Sequence, residues 1–264
     1  MRHLELFAGI GGFRRAMDLL TQDHIMDFHC IGYSEIDAKA VKTYCANYHP
    51  EVDGELAMGD IVEFTSNKGN INNLPQFDLV TGGFPCQTFS MMGKQAGFNE
   101  DRGQMFFHII DILAAKMPRY VLLENVKNLK SHDKGRTFAR IKQELEALGY
   151  QVFTDIFNTA QFHLPQTRNR LLIFATTEPV PADFEVQFTC DNIAVLFDQV
   201  YQDLGTYHYQ SVNDILSLEV EKKYFLSEKI KPTLLADGSA NFKSKSDINM
   251  SIARPLTATM HKMH

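Results

Sequence analysis

Short apolar runs alternate with amphipathic helical stretches from the first residues to about residue 177, and this alternation restricts the possible folds more than any other feature. The predicted strands are 4–7, 30–34, 77–81, 120–123, 152–157 and 171–175. Apolar residues at helical spacing, such as Phe106, Ile109 and Leu113, mark the intervening helices. The pattern predicts an α/β fold, in which a mostly parallel sheet carries helices on both faces.

The alternation ends near residue 178, where Pro179 and Pro181 interrupt it. Beyond this point the apolar runs are short and scattered, and turn-rich pieces such as 237–241 occur between them. We therefore expect a first domain over residues 1–178 and a second region over residues 179–264.

Composition places the chain among ordinary globular proteins. Its 264 residues suit one large α/β domain and part of a second, and a net charge of −6 argues mildly against a dedicated nucleic-acid binder. No apolar run approaches the roughly 20 residues of a membrane span, and the sequence shows no signal peptide. The four cysteines lack metal-ligand spacing, so we expect no metal, no membrane partner and a reduced, cytoplasmic location.

A glycine-rich loop follows the first predicted strand and reads Phe7-Ala8-Gly9-Ile10-Gly11-Gly12. Glycines let the backbone turn sharply and approach a ligand closely. The loop is not the full dinucleotide fingerprint, so a tight turn without a ligand is the alternative.

Acidic residues after the next two strands favour a nucleotide-like ligand. Glu35 follows the second strand, where a carboxylate can accept hydrogen bonds from both ribose hydroxyls. Asp60 and Ile61 follow a further short strand, between the strands 30–34 and 77–81, and suit the edge and the face of an adenine. A ribose and adenine site without a clear pyrophosphate cradle indicates S-adenosylmethionine rather than NAD.

Two strand ends carry candidate catalytic groups. Cys86 follows a glycine pair and a proline after the strand 77–81, and Glu124 ends the strand 120–123. Ends of neighbouring strands lie ~5 Å apart, so both side chains could address one substrate ring. Cys86 would act as a thiolate nucleophile, and its alternative role is a small buried core residue. The alternative for Glu124 is an acid at a helix N-terminus.

Basic residues supply possible anion contacts. Gln166, Arg168 and Arg170 alternate along an extended segment and so share one side, which suits a phosphate or a carbonyl oxygen; the alternative is a solvated charged face. A candidate basic surface comprises Lys94, Arg102, Lys127, Lys130, Lys134 and Arg136.

Together these motifs resemble the cytosine-5 DNA methyltransferases of bacterial restriction-modification systems. The resemblance covers roughly residues 3–177 and rests on ordered motifs. They are Phe7-Ala8-Gly9-Ile10-Gly11-Gly12, Gly82-Gly83-Phe84-Pro85-Cys86-Gln87, Asp101-Arg102-Gly103, Glu124-Asn125-Val126 and Gln166-Thr167-Arg168-Asn169-Arg170. The resemblance implies a Rossmann-like methyltransferase sheet, S-adenosylmethionine as methyl donor, and a cytosine flipped out of duplex DNA.

The resemblance also implies residue roles. Cys86 attacks ring carbon 6, Glu124 contacts the ring nitrogen and amino group, Arg170 contacts the ring carbonyl, and Arg168 organises the site. The implied cofactor residues are Phe7, Gly9, Ile10, Gly11, Gly12, Glu35, Ile36, Asp60, Ile61, Pro85 and Met105. The implied DNA contacts are Ser90, Lys94 and Arg102.

The family pattern is not complete in this sequence. The two final motifs of the family are not found, and Arg254-Pro255-Leu256-Thr257 is interpreted as an early strand of a target-recognition region. Residues 1–178 are therefore the expected catalytic domain, and 179–264 a linker and partial recognition region. We expect either a truncated chain or one subunit of a split enzyme, completed by a second chain.

Three other functions stay open at this point. A tRNA cytosine-5 methyltransferase would use the same chemistry on another polymer. A nucleotide-dependent oxidoreductase would explain the glycine loop and Glu35, but not Cys86 or Glu124. A non-enzymatic cofactor-binding subunit would leave both of those residues without a purpose.

Overall fold

The computed structural model of the chain describes residues 1–85, 105–204, 209, 211–225, 227–229, 232 and 250–255, and only the backbone of 201–204. The strands are β1 (Arg2–Leu6), β2 (His29–Ser34), β3 (Leu56–Ala57), β4 (Leu79–Gly83), β5 (Tyr120–Val126), β6 (Gln151–Asn158) and β7 (Asn169–Thr176). They form one seven-stranded sheet in the order β3-β2-β1-β4-β5-β7-β6.

Helices fill most of the connections between these strands. They are α1 (Gly12–Gln22), α2 (Ala38–Tyr48), α3 (Pro50–Asp53), α4 (Ile61–Ser66), α5 (Lys68–Asn73), α6 (Met105–Lys116), α7 (Arg136–Ala147), α8 (Phe184–Gln187) and α9 (Cys190–Leu204). Short 3₁₀ helices occur at Lys127–Lys130, His132–Gly135, Thr159–Phe162, Val212–Asp214 and Lys222–Tyr224. The predicted α/β class is confirmed.

The directions of the strands bring several loops to the same edge of the sheet. β1 to β5 pair in parallel, as the alternation predicts. β7 instead runs antiparallel to β5, with Val126 opposite Arg170. The connection between β6 and β7 holds only the 3₁₀ helix Thr159–Phe162, and parallel neighbours would need a longer crossover. The start of β7 therefore lies at the edge where β1 to β5 end.

Apolar side chains of the sheet and of α4, α6 and α7 form the main core. Leu4, Leu123, Ile109 and Leu145 are fully buried within it. A smaller cluster of Ala8, Tyr33 and Tyr44 lies next to the glycine loop. Burial of these side chains supplies the main driving force for folding and fixes the ends of the strands.

The chain divides into two compact units. The first comprises Met1–Ile156 and Arg170–Ile193, and the second comprises Phe157–Asn169 and Ala194–His264. Within the second unit, His163 pairs with Asp198, and an isolated bridge joins Gln166 to Ala253. The division into two compact units does not show what either unit does. The assignment of 1–178 as the catalytic domain and of 179–264 as a linker and partial recognition region therefore stays a prediction. The strand expected from Arg254 onward falls largely on residues outside the described ranges.

Candidate functional site

The glycine loop turns the chain from β1 into α1 and is tied to β2. Phe7, Gly9 and Gly11 all have positive φ, of 53°, 58° and 88°. The amide of Ala8 donates to the carbonyl of Ser34 at 2.9 Å, and that of Gly11 to the carbonyl of Ala8 at 2.9 Å. These bonds hold the loop against the carboxyl end of β2.

The Glu35 side chain joins the loop to the second strand. Its Oε2 accepts a hydrogen bond from the Gly9 amide at 2.8 Å. Its Oε1 accepts the amides of Ile36 and Asp37, each at 2.8 Å. Because a carboxylate oxygen has two acceptor sites, Oε2 keeps one of them for a further donor.

Exposed apolar side chains flank Glu35. Ile10 is 63% exposed and Ile36 is 74% exposed, although both adjoin well-ordered strand ends. Asp60 caps α4 by accepting the Val62 amide at 2.8 Å. Ile61 is only 2% exposed and packs in the main core. The contact of Ile61 with an adenine face stays a prediction.

A carboxylate and a guanidinium meet at the carboxyl end of β5. The Oε1 atom of Glu124 lies 2.5 Å from Nε of Arg170, and both side chains are partly exposed. Gly83 is the register partner of Glu124 on β4. A Cβ at Gly83 would come within 3.3 Å of Glu124 Oε2, so the glycine leaves room for the carboxylate. The structure thus brings together two of the predicted catalytic residues.

Asn125 fixes the segment that leads to Cys86. It is 2% exposed, and its Nδ2 donates to the carbonyl of Phe84 at 2.8 Å. Phe84 is buried against Phe106 of α6, whereas Pro85 is exposed. Met105 begins α6 and packs at the border of the core. The sequence motif contains Asn125, but its clamping role could be seen only once β4 and β5 were paired.

A network of buried charges underlies the glycine loop and was not predicted. Glu5 accepts the Arg14 amide at 3.3 Å, and the Arg14 guanidinium binds Glu55 and Asp18. Burial raises the pKa of Glu5 to about 7. Burial also lowers the pKa of His3 to about 3; this side chain contacts Thr81 through Nε2 at 2.7 Å. The sequence did not indicate this network, because the first predicted strand was interpreted as an ordinary core strand.

Five further predicted site residues are not part of the groups described above. Cys86, Ser90, Lys94 and Arg102 fall outside the described residues. Arg168 belongs to the second compact unit, where its amide donates to Thr159 Oγ1 at 3.1 Å.

The described cysteines have surroundings unlike those of a nucleophile. Cys30 and Cys190 are buried, and Cys45 is partly buried. Burial raises the pKa of the Cys30 thiol to about 12.

Solved structures place this fold among methyltransferases. The chain superimposes on the crystal structure of S. pombe Dnmt2 methyltransferase with a TM-score of 0.64 at 21% identity, over 88% of this chain and 65% of that one. The Entamoeba histolytica methyltransferase EhMeth gives a TM-score of 0.61 at 19% identity, over 89% and 66%. At such identities the likeness shows the fold, a Rossmann-like methyltransferase sheet.

The chain belongs to the C-5 cytosine-specific DNA methylase family, whose model matches residues 1–263. It is 37% identical over 227 residues to type II methyltransferase M.NlaX of Neisseria lactamica, covering 86% of this chain and 63% of that protein. It is 33% identical over 242 residues to orphan methyltransferase M.Rho11sI of Bacillus phage rho11s, covering 87% and 46%. The chain thus spans less than two thirds of these relatives. The oxidoreductase alternative is wrong.

Within the described ranges, no helix is both long and apolar enough to cross a bilayer.

Proposed function

We propose that the chain forms the catalytic part of an enzyme that methylates carbon 5 of cytosine in a specific duplex DNA sequence. The observation that carries the proposal is the Glu124–Arg170 pair beside Gly83, at the adjoining ends of β4 and β5. Cys86 follows Gly83 by three positions in the sequence. A nucleophile, a carboxyl group and a guanidinium are the groups that addition to a cytosine ring requires.

In the proposed reaction, the Cys86 thiolate adds to carbon 6 of a flipped-out cytosine and forms an S–C6 bond. The electrons of the C5–C6 double bond move into the ring. Glu124 donates a proton to the ring nitrogen and accepts a hydrogen bond from the amino group, while Arg170 binds the ring carbonyl oxygen. Both residues stabilise the charge that develops on the ring.

Carbon 5 is then nucleophilic and forms a bond to the methyl group, while the bond between that methyl group and the sulfonium sulfur of the donor would break. The proton of carbon 5 then passes to water, the C5–C6 double bond re-forms, and the S–C6 bond breaks. The Cys86 thiolate is thereby regenerated, and the ring nitrogen returns its proton to Glu124. Covalent addition divides one difficult substitution into easier steps.

Residues of the first two strand ends fit S-adenosylmethionine, which supplies an electrophilic methyl group. The free acceptor site on Glu35 Oε2 suits a ribose hydroxyl. The exposed side chains of Ile10 and Ile36 would be covered by the adenosine part. The Gly12 amide at the start of α1 suits the carboxylate of the amino-acid part, because helix N-termini favour anions.

Contacts to the DNA backbone are also part of the proposal. Ser90, Lys94 and Arg102 keep the phosphate contacts that the family resemblance implies. Lys127 and Lys130 are exposed in the 3₁₀ helix that directly follows β5. A second chain that supplies the final family motifs also stays part of the proposal.

Transfer of labelled methyl groups from S-adenosylmethionine to mixed-sequence duplex DNA tests the proposal. The unaltered chain should label DNA, and Cys86→Ser should reduce labelling on the order of a thousand-fold or more. Cys190→Ser is the matched control, because Cys190 is buried and lies outside the proposed site. Labelling of tRNA in place of DNA, or labelling that persists in Cys86→Ser, would contradict the proposal.

The covalent step has a separate test. A duplex with 5-fluorocytosine should trap the adduct, because carbon 5 then carries no proton to lose. A protein–DNA band stable to denaturant is expected with the unaltered chain and with Cys190→Ser. Its formation by Cys86→Ser would show that another group attacks the ring.

A further inference from the structure

The glycine loop contains three residues with a left-handed backbone conformation. Phe7, Gly9 and Gly11 all lie in the left-handed region, which costs about 1 kcal/mol or more for a residue such as phenylalanine. Contacts from outside must therefore maintain this conformation. One of them comes from Tyr48, the last residue of α2.

Tyr48 contacts Gly11 through both its hydroxyl and its ring. The hydroxyl donates a hydrogen bond to the Gly11 carbonyl at 2.8 Å. A Cβ at Gly11 would lie 2.2 Å from Cε2 of the ring, a distance that no side chain tolerates. Gly11 is thus required at this position by its φ of 88° and by the ring packed on it.

Neighbouring side chains hold Tyr48 in place. Its ring centroid lies 4.8 Å from that of Tyr44, which in turn stacks on Tyr33 at 4.3 Å. The guanidinium of Arg14 lies 5.4 Å from the centre of the Tyr48 ring. Arg14 is itself held by Glu55 and Asp18. The hydroxyl of Tyr48 therefore belongs to a rigid support rather than to a freely rotating side chain.

The Gly11 carbonyl also accepts a hydrogen bond from the Arg15 amide of α1 at 2.9 Å, so Tyr48 and the first turn of α1 together fix the direction of the next amide. In a trans peptide the C=O and the following N–H point in opposite directions. Because Tyr48 binds the Gly11 carbonyl, the Gly12 amide points away from Tyr48. Gly11 is buried and Gly12 is exposed. Gly12 begins α1, so its amide has no acceptor within the helix.

We propose that Tyr48 is a positioning residue for the methyl donor, because it orients the Gly11–Gly12 peptide toward the donor's carboxylate. The inference rests on the proposed function, which places S-adenosylmethionine at this loop. Loss of one hydrogen bond of this kind costs roughly 0.5–1.5 kcal/mol, which corresponds to a two- to ten-fold weaker complex. The effect should fall on donor binding and spare the cytosine chemistry.

Calorimetric titration of the full chain with S-adenosylmethionine tests this role. Tyr48→Phe keeps the ring and should raise the dissociation constant about five-fold. In methylation assays the KM for S-adenosylmethionine should rise equally, while kcat at saturation and the KM for DNA stay unchanged. A role in stability alone would lower Tm and leave this KM unchanged.

Tyr150→Phe is the matched control. The Tyr150 hydroxyl donates to the Pro118 carbonyl at 2.7 Å, at the amino end of β5 and away from the loop. This variant should lose stability and keep its affinity for S-adenosylmethionine. Equal affinity of Tyr48→Phe and the unaltered chain would overturn the inference alone. Absence of binding by the unaltered chain would overturn the proposed function as well.

A double-mutant cycle provides a second measurement. Gly11→Ala should weaken donor binding strongly while Tyr48 is present, because the added methyl group collides with the ring. In the Tyr48→Ala background the collision is absent, so Gly11→Ala should weaken binding by a smaller factor. Equal factors in both backgrounds would show that ring and loop act independently, against the inference.

Discussion

At the scale of single residues, the Glu124 carboxylate depends on the absence of a side chain opposite it. Gly83 is extended and pairs with Glu124 across two parallel strands. The 3.3 Å between a Cβ at Gly83 and Glu124 Oε2 is shorter than an ordinary contact. A methyl group here would displace the carboxylate by a few tenths of an ångström without disturbing the backbone.

Gly83→Ala should therefore lower kcat on the order of ten-fold, because small displacements of a catalytic group are costly. Its Tm should stay close to that of the unaltered chain. Gly82→Ala is the contrast, since its Cβ would meet the Leu6 carbonyl oxygen at 3.1 Å, a backbone atom that cannot move away. That variant should lose stability and keep its kcat. If Gly83→Ala and the unaltered chain had the same kcat, the Glu124 carboxylate would not be displaced by the added methyl group.

At the scale of elements, β1 carries two buried titratable residues whose effects on stability oppose each other. His3 and Glu5 lie on the same face of the strand. Burial lowers the pKa of His3 from 6.5 to about 3, so the unfolded chain binds the extra proton below pH 6.5. Burial raises the pKa of Glu5 from 4.5 to about 7, so the folded chain binds the extra proton between these values. Acidification from pH 6.5 to 4.5 thus weakens the fold through His3 and strengthens it through Glu5.

Glu5→Gln should remove the stabilisation that Glu5 provides on acidification. Relative to the unaltered chain, the variant should lose up to about 1.4 kcal/mol of unfolding free energy per pH unit as pH falls from 6.5 to 4.5. His3→Gln should show a relative change of the opposite sign over the same range. Urea unfolding at pH 6.5, 5.5 and 4.5 measures both. Parallel stability curves for Glu5→Gln and the unaltered chain would mean that Glu5 titrates normally.

The strands show which structural features could be predicted from the sequence and which could not. Apolar runs predicted six strands within a few residues, because a buried parallel strand needs little besides an apolar stretch. Periodicity does not reveal strand direction, so the reversal of β7 was missed. The short connection 159–168 was the available signal, since it cannot hold a crossover helix. This reversal places Arg170 beside Glu124, although the two residues are 46 positions apart in the sequence.

Contacts between residues that are far apart in the sequence could not be predicted either. The contact of Tyr48 with Gly11 joins the end of α2 to a loop 37 positions away. The charged group of Glu5, Arg14 and Glu55 could be recognised only after β1, α1 and β3 had been placed. By contrast, Glu35 was predicted correctly as the residue that follows β2, because its position depends on the strand end alone. Its role in donor binding stays a prediction.

At the scale of the whole molecule, an acidic chain must bind a polyanion through a local concentration of positive charge. The net charge is −6, so long-range attraction to DNA is not expected. Lys127 and Lys130 lie three positions apart in one 3₁₀ helix, where such side chains share a face. The buried side chain of Leu129 anchors this helix to the core. Arg136 and Arg140 are instead paired with Asp133 and Glu144.

The double variant Lys127→Ala/Lys130→Ala should therefore bind duplex DNA less tightly and with a weaker dependence on salt. Each lost phosphate contact removes about 0.9 from the slope of log affinity against log salt concentration, so the slope should fall by about 1.8. Lys68→Ala/Lys142→Ala removes the same net charge from α5 and α7. If both double variants changed the slope equally, net charge rather than these two lysines would govern binding. A fall confined to the first variant would place the DNA backbone beside the strand end that carries Glu124.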